Sequence, residues 1–326
     1  MNALTLKNNQ LTLSNIPKPM PTKSEALLRI VLAGICSTDL EIVKGYVPGF
    51  NGVLGHEFVG IVEQVGEEGD LKWIGKRVTA TINIGCSTCA TCLANGSEHC
   101  LQRTVLGIHQ RDGAFADYLV VPITNLIAIP DSVPDQLAVF TEPLAAALRI
   151  REQLCVPPSK PIAVIGPGRL GMLIGWVMSL SGNRVVMLGR RSESLNLAQK
   201  WGLESSLIED IADNAFEFVV ETTGNEAGLA HALRITRPRG TIVLKSTYAG
   251  PAKVDLTKLV VGEITIVGSR CGPFEPAVRL LTTSKSQQLI DLIDGEFTLV
   301  KGVAAMKRAA EPSVRKILLQ ISHPIV

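Results

Sequence analysis

Apolar positions along the chain follow two different patterns, and the change comes near residue 144. Before it, short apolar runs at 26–32, 58–65, 77–82 and 116–121 are separated by Gly, Pro and Asp. That is the pattern of brief strands joined by tight turns, and it predicts a compact, barrel-like antiparallel fold. After it, strand-like and helix-like stretches alternate. The segment PIAVIGPGRLGMLIGWVMSLSGNRVVMLGRR (161–191) reads as a strand at 162–165 buried on both faces, a glycine turn, a helix at 170–180 and a second strand at 184–188. A helix at 195–201, a strand at 216–220, a helix at 227–235 and strands at 241–244 and 264–267 continue the alternation, as a parallel sheet with crossover helices requires. The tail is predicted to hold one helix (275–283) and a final apolar strand (316–321). The expected fold class is α/β: a β-rich part followed by a doubly wound parallel sheet.

The glycine turn brings in chemistry. Gly166-Pro167-Gly168-Arg169-Leu170-Gly171, between a strand and a helix, fits a dinucleotide. The first glycine permits the tight turn, the second lets the backbone approach a pyrophosphate, and the third lets helix and strand pack closely. About 20 residues past such a turn an NAD site carries an acid for the ribose 2′-hydroxyl. Here Gly189, Arg190 and Arg191 occupy that place. No carboxylate repels a 2′-phosphate and two guanidiniums are available to hold it, so NADP(H) is expected over NAD(H). Two solvated arginines at a helix start are the plainer alternative.

Composition narrows the class. The chain has 326 residues, 46% apolar and 19% charged, with a net charge of +2. This is enough for two domains, and it gives no argument for nucleic acid or an acidic membrane surface. No apolar run reaches the roughly 18 residues of a membrane span. The N-terminus, MNALTLKNNQ, lacks the basic and apolar regions of a secretion signal, so the cytoplasm is expected.

Four of the seven cysteines crowd into one loop. Cys86, Cys89, Cys92 and Cys100, in CxxCxxCx7C spacing, can close a tetrahedral thiolate shell round one zinc. A sealed site leaves no open position, so it would stabilise its lobe and do no chemistry. Elsewhere Cys36, His56 and one or two carboxylates have the donor types of an open, catalytic zinc site, although a lone Cys and a lone His also suit a core. Cys155, after an apolar helical stretch, is expected to be a small buried hydrophobe. Cys271 and His109 carry no assignment.

Taken together, GICSTDLEIVKG, GHEFVGIVEQVG, CSTCATCLANGSEHC, DGAFADYLVVP, TEPLAAAL and GPGRLG resemble the zinc-containing medium-chain dehydrogenases in order and spacing, most of all the sorbitol, glucose and threonine dehydrogenase branch. The resemblance covers nearly the whole chain. It implies a GroES-like catalytic domain over 1–144, a Rossmann domain over 145–268 and a return to the catalytic domain over 269–326. It implies two zincs per chain, catalytic and structural. Cys36 and His56 then look like catalytic-zinc ligands, and Glu57 like the neighbouring glutamate that ligates in some states. Glu142 of TEPL falls where this branch has a glutamate ligand. Asp39 resembles the carboxylate that orients the histidine, and Thr38 the hydroxyl that takes the substrate's proton. A histidine that often ends the proton relay is Glu41 here, a weaker base. The segment GYVPGFNGVLG (45–55) is shorter than in relatives, which leaves the substrate open.

The implied reaction is reversible hydride transfer between NADP(H) and a secondary alcohol, polyol or related hydroxy compound. The partners are a small-molecule substrate and further copies of the chain, as a homodimer or homotetramer pairing edge strand 264–267. Two alternatives remain: a zinc-independent enone or quinone reductase on the same scaffold, and a non-catalytic NADP(H)-binding or redox-sensing protein keeping only the structural zinc.

Overall fold

The structure, a computed structural model, describes residues 1–248 and 252–322. The chain forms two compact units: Met1–Glu142 together with the chain from Phe274 on, and Pro143–Pro273.

In the first unit a seven-stranded sheet is built round Glu25–Gly34, a ten-residue strand buried along most of its length. The sheet runs in the order Leu126–Ala128, Arg77–Ala80, Glu57–Val65, Glu25–Gly34, Lys316–Gln320 and Ile293–Thr298, and Tyr118–Pro122 also pairs with the central strand. Pairing is antiparallel except between Ile293–Thr298 and Lys316–Gln320, which run parallel. The strands from the N-terminal part pair antiparallel in this sheet, as expected, and the parallel pair is added by the tail. A parallel pair needs a crossover, and helix Gly302–Ala309 supplies it. Neither that helix nor strand Ile293–Thr298 was expected. The helix, GVAAMKRA, is short and built mostly of small residues, and the strand, IDGEFT, carries the Asp and Gly that strands disfavour. The tail helix is Phe274–Leu281, followed by a 3-10 stretch, Ser284–Leu292.

The second unit is a six-stranded, wholly parallel sheet in the order Glu204–Leu207, Val185–Gly189, Ile162–Ile165, Phe216–Glu221, Thr236–Leu244 and Thr265–Gly268. Chain order reverses beside Ile162–Ile165, the point at which such sheets bind ligands beyond their carboxyl ends. Helices Arg169–Leu180, Ser192–Lys200 and Glu226–Ile235 cross between strands. Gly175 lets the first lie close on the sheet, since a Cβ there would come within 2.6 Å of the Met187 sulfur. Strand Thr236–Leu244 starts five residues earlier than its apolar part, through an irregular register against Phe216–Glu221. Cys155 is exposed, contrary to expectation. Helix Thr141–Gln153 ends before it, and the connection CVPPSK runs over the surface.

Candidate functional site

One candidate centre forms where the central strand of the first unit ends. Past Gly34 the chain turns at Cys36, which caps helix Ser37–Val43, and the Cys36 N–H donates to the Asp39 carboxylate Oδ2 at 2.8 Å. Register places Glu57 opposite Gly34, so His56 and Glu57 reach the same end of the sheet. The turn before them needs glycine. Gly55 has φ +100°, and a Cβ would stand 2.4 Å from the Phe115 ring. His56 Nδ1 lies 3.3 Å from Asp39 Oδ1, with both side chains buried. Burial pulls the imidazole's pKa down, but the Asp39 charge and the Cys36 side chain outweigh it and hold His56 well above the usual value.

A sulfur of Cys36, a ring nitrogen of His56 and a carboxylate oxygen of Glu57 all lie within 4.8 Å of one another. Soft thiolate, imidazole and carboxylate form a donor set that suits zinc, and with Nδ1 turned to Asp39 the Nε2 atom is left for a metal. Glu142, buried in the first turn of helix Thr141–Gln153, stands outside this three-donor group. Thr38 Oγ1 is 3.8 Å from the Cys36 sulfur. Glu41, one turn further along the helix, is part-exposed and bonded to Lys44 Nζ at 2.8 Å.

Sequence reasoning missed Lys316. Its ammonium is fully enclosed, pairs with Glu57 Oε2, donates to the Ile35 carbonyl at 3.4 Å and stands 5.7 Å from the Phe140 ring centre. Lys316 opens the strand KILLQ, where a lysine reads as an ordinary solvated strand end, so the sequence carried no signal for it.

The four loop cysteines converge. Cys86 and Cys92 sulfurs are 4.0 Å apart, and Cys89 and Cys100 3.9 Å. These separations exclude disulfides and match the edge of a zinc–sulfur tetrahedron, about 3.8 Å for bonds of about 2.3 Å. Backbone N–H groups of Cys89 and Cys92 point at the Cys86 and Cys89 sulfurs. Gly85 keeps the space clear, because a Cβ would come within 2.6 Å of the Cys92 sulfur. The Thr88 hydroxyl and N–H groups bring the Cys86 thiol down to about 5, whereas desolvation and neighbouring sulfurs push Cys92 up to about 12. His99 lies on the surface near Glu98 and away from this set.

In the second unit the glycine turn has the shape a pyrophosphate needs. Gly166 has φ +100°; a Cβ at Gly171 would fall 1.9 Å from the Gly166 carbonyl, whereas Gly168 faces open space. Thr222 was not anticipated. Its hydroxyl meets the Ile165 and Gly166 carbonyls at 2.7 and 2.9 Å and pins the turn. Pro167 is part-buried, and Arg169 and Leu170 open helix Arg169–Leu180, whose first N–H groups lack intrahelical partners. Gly189 is buried at the end of its strand, and Arg190 and Arg191 are exposed beyond it, in no ion pair with a described residue.

The chain matches the alcohol dehydrogenase GroES-like domain over residues 22–131 and the zinc-binding dehydrogenase domain over residues 170–285. It is 30% identical over 277 residues to the starvation-sensing protein RspB of Escherichia coli K12, covering 81% of each chain. It is 27% identical over 322 residues to the sorbitol dehydrogenase of Halalkalibacterium halodurans, covering 93% of each. Among solved structures, an alcohol dehydrogenase of Escherichia coli CFT073 complexed with NADH superposes with a TM-score of 0.88 at 26% identity, over 98% of this chain and 99% of that one. This chain belongs to the zinc-containing medium-chain dehydrogenases of the alcohol dehydrogenase superfamily. It is an oxidoreductase of the alcohol and polyol dehydrogenase class, with a GroES-like and a Rossmann-type domain, acting on small molecules. Among the described residues no helix is long and apolar enough to cross a membrane.

Proposed function

We propose that this is a zinc-dependent, NADP-preferring dehydrogenase of a secondary alcohol, polyol or related hydroxy compound, run in either direction. The observation that carries the reading is the convergence of Cys36, His56 and Glu57 donors within 4.8 Å. Cys36 and His56 hold the catalytic metal, with Glu57 or Glu142 as the carboxylate ligand, and the four loop cysteines hold a second, structural zinc. When bound, zinc supplies Lewis-acid polarisation of the substrate oxygen, and the nicotinamide supplies the hydride acceptor or donor. Asp39 fixes both the Cys36 backbone and the His56 ring. Thr38 takes the substrate's proton through its hydroxyl, and Glu41, three residues on along the same helix face, passes it to solvent beside Lys44. Gly166–Gly171 cradle the pyrophosphate, and Arg190 and Arg191 hold a 2′-phosphate.

The assignment of 1–144 and 269–326 to catalysis and of 145–268 to cofactor binding goes with this reading, as does a cytoplasmic setting. So does homo-oligomerisation through Thr265–Gly268, an edge strand of the parallel sheet; Leu256, Val260 and Val261 on the preceding helix are exposed apolar residues. Kinship to a protein named for starvation sensing favours a second reading, a nucleotide-binding sensor that keeps only the structural zinc.

Zinc per chain, measured on protein purified without chelator, separates the two readings. Two zincs falling to one in Cys36→Ser support the dehydrogenase. One zinc, unchanged by that substitution and not raised by added zinc, overturns it and leaves the sensor.

A further inference from the structure

Glu221, a fully enclosed carboxylate at the end of strand Phe216–Glu221, has no part in the chemistry described above. Its Oε1 accepts from the Thr223 N–H at 2.6 Å and from the Thr223 hydroxyl, and its Oε2 accepts from the Tyr248 hydroxyl at 2.8 Å. We infer that Tyr248 is a positioning residue: through Glu221 it holds the loops beyond strands Phe216–Glu221 and Thr236–Leu244 in the form that receives the nicotinamide half of the dinucleotide. This rests on the dinucleotide site proposed above.

Sheet order says which half lies there. Strand Ile162–Ile165, which leads into the glycine turn, has Val185–Gly189 on one side and Phe216–Glu221, then Thr236–Leu244, on the other. A pyrophosphate at the turn and a ribose beyond Gly189 commit the adenosine to the first side, so the nicotinamide ribose and ring extend over the second. Two loops meet there, 222–225 and 245–248. The first walls the glycine turn: Thr222 bonds to it, and a Cβ at Gly166 would stand 2.8 Å from Thr222 Oγ1 and 3.1 Å from Thr223 Cγ2.

The tie between the loops is built into the packing. Gly228, in helix Glu226–Ile235, leaves room for it, since a Cβ there would come within 1.9 Å of the Thr223 hydroxyl oxygen and 2.6 Å of Glu221 Oε1. A second bond runs beside the first, from the Gly224 N–H to Ser246 Oγ at 2.8 Å. The Tyr248 side chain packs against the apolar core of the parallel sheet. Burial and the neighbouring carboxylate hold its phenol above the ordinary pKa, so it stays a donor near neutral pH. A buried carboxylate is costly to leave short of donors, so Glu221 keeps Tyr248, and loop 245–248 with it, against loop 222–225. A loop held in place beforehand does not have to be ordered on binding, and the part of the ligand that lies against it binds more tightly.

The test uses the purified protein freed of bound nucleotide and compares wild type, Tyr248→Phe and Ser246→Ala by titration calorimetry. The probes are NADPH and 2′-phospho-ADP-ribose, which lacks the nicotinamide; NADH and ADP-ribose replace them if wild type binds NADH more tightly. Tyr248→Phe is expected to bind NADPH about tenfold more weakly, the effect of one hydrogen bond to a charged group, and 2′-phospho-ADP-ribose within about twofold of wild type. Ser246→Ala, which cuts a bond between neutral groups, should show the same selectivity with a loss of about threefold. A folded Tyr248→Phe protein that binds NADPH as wild type does, or that loses affinity for both probes equally, overturns the inference. Should Tyr248→Phe not fold, Ser246→Ala decides by the same comparison: a loss confined to NADPH supports the inference, and equal affinities or equal losses overturn it. Wild type that binds neither dinucleotide nor fragment removes the dinucleotide reading itself, and this inference with it.

Discussion

Replacing Arg190 and Arg191 together by serine tests the proposed cofactor preference. Both side chains are exposed and neither makes an ion pair with a described residue, so the fold should tolerate the change, and Tm should stay within about 2 °C. A charge-assisted hydrogen bond contributes about 1.5–3 kcal/mol. Exposure and salt reduce that to roughly 1–2 kcal/mol per arginine at this rim. Loss of both then raises KM for NADP+ by roughly 30- to 1000-fold at about 1.4 kcal/mol per decade. KM for NAD+, which has no 2′-phosphate, should change less than about threefold. Arginines stacked on the adenine would behave differently, since both cofactors share that ring and both KM values would rise together. Steady-state kinetics with each cofactor at two ionic strengths separates the cases, because the phosphate contact alone weakens selectively with salt. A wild-type enzyme that prefers NAD+, or a double variant that loses both cofactors equally, refutes the assignment. The reverse design is constrained by packing. An aspartate at Gly189 places Cβ 2.7 Å from Ser194 Oγ and 3.1 Å from Leu195 Cδ2, so Gly189→Asp should cost about 1–3 kcal/mol in denaturant melts, and Ser194→Ala should recover part of it.

Three other outcomes follow from single contacts. Asp39→Asn keeps an acceptor for the Cys36 N–H but removes the charge facing His56, so the affinity of the Cys36-dependent zinc should fall about 10- to 100-fold in chelator competition; wild-type affinity would refute an orienting role. Thr222→Val leaves the Ile165 and Gly166 carbonyls without their hydroxyl donor, which should cost about 1–2 kcal/mol in denaturant melts and raise KM for the dinucleotide; an unchanged protein would show that the turn holds itself. Zinc uptake by the metal-free cysteine lobe should weaken as pH falls, because each ligand must be a thiolate and Cys92, held up to about 12, has to release a proton to the solvent; a pH-independent affinity, read by chelator titration between pH 6 and 8, would exclude a four-thiolate site.

What the sequence shows and what it hides divide along a physical line. Sites made by neighbours in sequence are legible, because spacing alone decides which donors can meet. The four cysteines span fifteen residues and converge, and the glycines of 166–171 do their work within one turn. The strands of the parallel sheet are legible for a similar reason, since burial on both faces leaves an unbroken apolar run such as Ile162–Ile165. Sites made by register are hidden. Cys36 and His56 were readable as donor types, but their meeting depends on Gly34 pairing with Glu57 across two strands. Lys316 lies 259 residues from its partner Glu57, so no local pattern distinguishes it from a lysine at a solvated strand end. Thr222 closes a turn 56 residues away in the same manner. Strand Ile293–Thr298 is hidden as well, because it is formed by parallel pairing with Lys316–Gln320 rather than by its own residue preferences. The tail's return is also what brings a buried cation to Glu57, beside the candidate metal site. Without strand Lys316–Gln320, Glu57 would lack its ion pair. The C-terminal strand therefore reaches the candidate site that the N-terminal motifs build, and truncation before Lys316 should disturb zinc binding as well as folding.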